Sequence, residues 1–223
     1  MTELSPTART RLTREKERAR TDRDELVALL DEAIIAHIGV VADGHPVVVP
    51  VAFAVDPDGP DEGGTLYVHG SVGAGWMRRA PGGDVCVTVT ALDGLVLARS
   101  AFNHSMNYRC AVVIGRARLV EDEAERARAM ELTVDHVVPG RAATLRPNTR
   151  KELAATAMLA VPLHEASLKT RTGGVEDEPE DVEAGTWAGV VPLRIVSGEV
   201  ETDPETAEPV PEDVRRRAVQ LSP

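Results

Sequence analysis

The chain has 223 residues, 43% of them hydrophobic, enough for one sizeable core and short for two. Its 36 acidic against 25 basic residues leave a formal charge of -11, which argues against a nucleic-acid partner, since phosphate backbones require clustered Lys and Arg. No long apolar run is present, so no membrane partner is expected, and the charged start "MTELSPTARTRLTREKERAR" does not read as a signal peptide. The expected location is cytoplasmic.

Residues 1–20 read as a basic N-terminal extension, with Arg9–Arg20 as a solvated first helix interspersed with Glu. Asp and Thr at 21–24, followed by Leu26, Leu29, Leu30 and Ala33, predict an amphipathic helix over about 22–33. In "AHIGVVADGHPVVVPVAFAV", Asp43-Gly44 between two apolar runs predicts a hairpin. Pro50 cannot donate to a ladder, so it marks an edge or a bulge. "TLYVHGS" reads as a strand and "VGAGWMRRA" as one or two helical turns.

"DVCVTVTALDG" alternates, with Val85, Val87 and Val89 on one face; "LVLARS" and "YRCAVVIGRARLV" read as two further strands, with a bulge expected at Gly115. "EDEAERARAMELTVDHVVPG" predicts a helix closed by Pro139-Gly140, and the capping box Thr149–Glu152 opens another through about Leu159. "AVPLHEASLKTRTGG" and "TWAGVVPLRIV" return to strand, and residues 198–223 form a Pro/Glu-rich tail, loosely ordered at its end. About six strands with hairpin-length connections, no βαβ rhythm and no GxGxxG predict a mainly β fold with flanking helices: an antiparallel split or closed barrel.

Few residues read as chemical. Cys86 and Cys110 lack CxxC spacing and are expected as free thiols, and the six scattered histidines support no metal site. Several of the six aromatics (Phe53, Tyr67, Trp76, Phe102, Tyr108, Trp187) sit at strand ends beside polar groups, which points toward a planar ligand, although core packing is the usual role of each. Lys169 and Arg171 fall on one face of an extended strand and suit an anion, or else neutralise the acidic loop 176–183. Gly70, Gly73 and Gly75 around Ser71 permit close backbone approach to an anion. His104 in "NHSMNY" is an acid–base candidate, with a structural turn hydrogen bond as the commoner role.

"LDGLVLARSAFNHSMNYRCAVVIGRA" resembles the signature of flavin-nucleotide-binding proteins in the pyridoxamine 5'-phosphate oxidase-like superfamily, on the branch related to nitroimidazole-resistance proteins. The likeness extends through "IIAHIGVVADGHPVVVPVAF", "TLYVHGS", "ELAATAMLAVPLHEASLKTRTGG" and "TWAGVVPL", in order over roughly 10–195. It implies a six-stranded antiparallel Greek-key split β-barrel over residues 21–197, forming a homodimer with FMN in a cleft between subunits. It implies flavin contacts from Val49, Pro50 and Val51, and ribityl or phosphate contacts from His69, Gly70 and Ser71. Asn107 and Arg109 would be polar ligands, Phe102 and Tyr108 walls, and Trp187 a lid from the partner chain. Where relatives often carry Ser-Arg or Lys for the phosphate, this chain reads "GAGWM", so Arg78, Arg79, Arg109 or Lys169 must compensate; Trp76 and Arg171 complete the expected cofactor set. The implied activity is an FMN-dependent oxidoreductase acting on a small molecule, such as a nitro compound or quinone. The alternatives are a flavin carrier without turnover, or a barrel that holds deazaflavin or haem, the latter through His104 or His69.

Overall fold

The computed structural model describes residues 3–4 and 7–222. In chain order the strands are β1 (Ala19–Arg20), β2 (Ala36–Ala42), β3 (His45–Val51), β4 (Phe53–Asp56), β5 (Thr65–Ser71), β6 (Asp84–Leu97), β7 (Ser105–Arg116), β8 (Arg118–Leu119), β9 (Thr156–Pro162), β10 (Ala166–Arg171) and β11 (Gly189–Pro192). The helices are α1 (Arg23–Glu32), α2 (Gly75–Arg79), α3 (Glu123–Val137), α4 (Arg150–Ala155), α5 (Pro179–Glu183) and α6 (Glu212–Gln220). The fold is mainly β and antiparallel, as expected. The eleven strands form two sheets in place of six in one barrel, and neither sheet closes on itself among the described residues. One sheet runs β1-β10-β7-β6-β2-β3, with β11 also on β6; the other runs β4-β5-β9-β8.

The division arises where "VVVPVAFAV" breaks at Ala52: β3 stays in the large sheet and β4 enters the small one. The β2–β3 hairpin forms as the Asp43-Gly44 signal requires. Both residues take positive φ, 51° and 81°, and Ala42 pairs with His45 across a two-residue turn. Pro50 lies on β3, the last strand of its sheet, where its missing N–H costs no ladder bond, as the edge expectation had it.

Other boundaries differ from expectation. "DVCVTVTALDG" and "LVLARS" form the single strand β6, whose register shifts between Leu92 and Gly94. Gly115 is not bulged. It pairs regularly with Val85, and its missing side chain admits β9, since a Cβ there would stand 2.9 Å from Val161 Cγ1. The capping box at Thr149 is present, but α4 stops at Ala155, because the apolar run after it is buried on both faces as β9. Residues 9–20 form no α-helix. Arg9 pairs with Glu165 and Asp84, and β1 adds to the edge of β10. The tail carries α6, which ties back to the end of α3 through Arg141–Asp213 and an Arg216 bond to the Pro139 carbonyl.

The core lies between the sheets. Ile38, Val87, Val113 and Leu168 of the large sheet meet Leu66, Val68, Leu159 and Val161 of the small one. α1 closes this layer with Leu26, Leu29 and Leu30, each burial contributing roughly 1.5–3 kcal/mol relative to exposure. Alternate residues of the small sheet, Tyr67, Met158 and Ala160, face the other way, against Ala129 of α3. The opposite, outer face of the large sheet carries His37, Val41, Pro46, Val48 and Pro50 in the open, with Val41 and Val48 each 66% exposed. Among the described residues no helix is long and apolar enough to cross a membrane.

Candidate functional site

The residues singled out from sequence fall on four places. Val49, Pro50 and Val51 lie on the edge strand β3. His69, Gly70 and Ser71 end β5, with Trp76 one turn later in α2. Asn107, Tyr108 and Arg109 open β7 and face Lys169 and Arg171 on β10, where Tyr108 pairs with Arg171 and Cys110 with Lys169. Trp187 precedes β11 and is 68% exposed.

At the β5 end, Trp76 and Met77 lie on Gly70. A Cβ there would stand 2.7 Å from Met77 Cε and 3.3 Å from Trp76 Cζ2. Ser71 Oγ accepts a hydrogen bond from the Gly73 amide at 3.2 Å. His69 is exposed. Of the two α2 arginines, Arg79 donates to Asp43 and to the Gly75 carbonyl, whereas Arg78 has no carboxylate partner among the described residues.

The β7–β10 cluster is cross-linked internally. Arg171, only 6% exposed, donates to Asn107 Oδ1 at 2.6 Å and to the Gly174 carbonyl, and Asn107 Nδ2 donates to the Gly173 carbonyl. Arg171 and Asn107 thus fasten the Gly173-Gly174 turn. Arg109 makes paired bonds to Asp93 and to Glu32 at the end of α1, two carboxylates that raise its pKa further. Lys169 has no ion-pair partner among the described residues. Sequence spacing had no means of finding Glu32 and Asp93, because they lie 77 and 16 residues from Arg109.

His104 is fixed by one ring nitrogen: Nδ1 lies 2.8 Å from the Ser100 carbonyl. A carbonyl can only accept, so Nδ1 carries the proton and a neutral ring keeps its Nε2 lone pair free. His136, by contrast, is structural. Its Nε2 reaches the Ala33 carbonyl at 2.6 Å, and its ring lies 4.5 Å from that of Phe53. Two of the six aromatics, Phe53 and Tyr67, are core residues with 0% and 1% exposure, so they leave the planar-ligand set. Burial and a bond to Glu125 push the Tyr67 hydroxyl up to about 12. Both cysteines are free thiols, and burial, aided by nearby Cys110, pushes Cys86 up.

Within the chain β3 and β7 are separated by β2 and β6. At roughly 4.8 Å per strand the β3 edge and the β7–β10 cluster lie about 14 Å apart across the sheet.

The sequence profile described as pyridoxamine 5'-phosphate oxidase matches residues 22–170. The chain belongs to this family. The family placement agrees with solved structures of related chains. A flavocytochrome, Anf3, from Azotobacter vinelandii is 38% identical, with 95% of this chain and 97% of that one aligned at a TM-score of 0.87. An FAD and haem binding protein from Mycobacterium smegmatis is 41% identical, with 90% and 97% aligned at 0.82. A protein from Bacteroides thetaiotaomicron, described as a candidate 5-nitroimidazole antibiotic resistance protein, shares the fold at 21% identity, with 68% and 85% aligned at 0.55. No functionally curated protein matches the chain.

Proposed function

We propose that the protein is a flavin- and haem-binding redox protein that works as a homodimer on a small molecule. The observation that carries this reading is the likeness, at 38% and 41% identity over nearly the full length, to a flavocytochrome and to an FAD and haem binding protein. On this reading FAD takes the place of the FMN implied by the motif resemblance; both carry the same isoalloxazine ring. The flavin supplies hydride or single-electron transfer and the haem single-electron transfer, while the protein binds, orients and tunes them.

The residues present fit these groups. The flavin ring would lie along the free edge of β3 at Val49–Val51, where an unpaired strand edge offers main-chain acceptors and few donors. His69, Gly70, Ser71 and Trp76 would flank its ribityl arm. Of the four candidate cations, Lys169 is the one outside α2 with no carboxylate partner among the described residues, and it would compensate for the "GAGWM" departure in place of Arg109. A second copy seated on the outer face would cover Val41 and Val48 and bring its own Tyr108, Asn107, Arg171 and Trp187 toward that edge. His104 is the preferred haem ligand, because its Nδ1 is already held by a backbone carbonyl and its Nε2 is free, the usual arrangement of a metal-binding imidazole. His69 is the second candidate.

The test is the visible spectrum of the purified protein, followed by heat release and mass measurement of the flavin. Flavin bands with a Soret band, and released FAD, are expected. His104→Ala should abolish the Soret band and keep the flavin bands. A Soret band lost only in His69→Ala would move the ligand to β5. A protein that takes up added FAD but no added haemin would reduce the proposal to a flavoprotein, and one that binds neither would overturn it.

A further inference from the structure

A cavity lies beside the β5 end, on the α3 side of α2. Its volume is about 490 Å³, within the roughly 300–1,000 Å³ of small-molecule sites. It opens between α2, the start of α3 and the α4–β9 junction. Val120 and Ala157 form a buried apolar floor, 1% and 8% exposed, and Met77 closes one side. Val72 and Leu119 leave 48% and 42% of their surface open beside it. Of the lining residues only Arg78 was among the four phosphate candidates offered by the sequence, and the flavin reading above gives that role to Lys169.

Two arginines line this apolar space, Arg78 from α2 and Arg126 from α3. In a chain of charge -11, their lack of partners is informative. Arg118 and Arg128, on either side along the sequence, are both paired, with Asp61, Glu125 and Asp56. Arg126 has no carboxylate partner among the described residues, and its Nε is shielded from solvent without any hydrogen-bond acceptor. A shielded donor without an acceptor is costly, so the Arg126 guanidinium is under-satisfied where it stands. The exposed carboxylate of Glu121 at the rim offsets one of the two positive charges, leaving the cavity suited to a single negative charge.

We infer that the cavity between α2, α3 and the α4–β9 junction binds an amphipathic monoanion, with its apolar body on Val120, Ala157 and Met77 and its carboxylate between Arg78 and Arg126. The proposal does not depend on the identity of the redox cofactors.

The experiment is calorimetric titration of the purified holoprotein with octanoate, 1-octanol and octylamine, with the cofactor spectrum recorded throughout. Octanoate should bind at one site per chain and at least about tenfold more tightly than octanol, a factor equal to 1.4 kcal/mol, and octylamine should not bind. Arg126→Gln should weaken octanoate about tenfold and leave octanol unchanged, and Arg126→Lys should restore part of the loss. Val72→Glu, an exposed substitution that adds a rim carboxylate, should weaken octanoate as well. Equal binding of octanoate and octanol, or octanoate binding unaffected by Arg126→Gln and Val72→Glu, overturns the inference. So does loss of cofactor absorbance as octanoate binds, because the cavity would then belong to the cofactor site.

Discussion

His136 gives the protein a predictable sensitivity to mild acid. The ring is half-buried against Phe53 and bonded through Nε2 to the Ala33 carbonyl, which joins α3 to the end of α1. Burial lowers its pKa from 6.5; the Ala33 bond and Asp31 oppose the shift, and Arg217 assists it. Above the unfolded-state value of about 6.5 the ring is neutral folded or unfolded, and its contribution is complete. As the pH falls below that value, the unfolded chain takes up a proton that the folded chain resists, and stability is lost until the folded pKa is passed. The slope has a ceiling of about 1.4 kcal/mol per pH unit for one proton, and screening at the open side of the ring keeps the loss below it. The assay is urea unfolding from about pH 7.5 to about pH 5.5 for the wild type and His136→Phe, which keeps a ring beside Phe53 and cannot titrate. The variant should be less stable at neutral pH by about 1 kcal/mol through the orphaned Ala33 carbonyl, and the gap should narrow as the pH falls. Parallel curves would refute the argument.

Three further outcomes follow from contacts described above. Gly115→Val should lower stability by about 1–3 kcal/mol, read as a fall in Tm, because the new side chain meets Val161 and Pro162 of β9. Tyr67→Phe should cost about 1 kcal/mol in urea unfolding; Glu125 keeps Arg118 as a partner, so no charge is stranded. Arg171→Gln should speed proteolytic cleavage at 172–175, since the Gly174 carbonyl and Asn107 lose their common donor, and Arg171→Lys should rescue it only in part.

Where local chemistry decides structure, the sequence was readable. Asp43-Gly44 set the hairpin, Pro50 the edge, and Thr149–Glu152 the helix start, because each signal lies within four residues of what it controls. The end of α4 was not readable. "ATAMLAVP" is apolar at nearly every position, and only its placement between β5 and β8 makes it a strand. The aromatic argument failed for Phe53 and Tyr67 because proximity to Gly or His in sequence says nothing about which face of a strand is covered. Asn107 and Arg109 stood out as one group in the sequence and Lys169 and Arg171 as another; the fold joins the two through the Arg171–Asn107 bond. Their partners, and the unpaired state of Arg126, depend on long-range contacts that no spacing encodes.

The outermost strand β3 carries Val47-Val48-Val49 between Pro46 and Pro50. Three consecutive β-branched residues at a sheet edge are a ready template for polymerisation through the backbone. A proline on each side removes two of the donors that an incoming strand would need, and so acts as a gatekeeper. The open edge of the hairpin is thereby guarded against strand-by-strand addition of further copies, the route that propagates into fibrils.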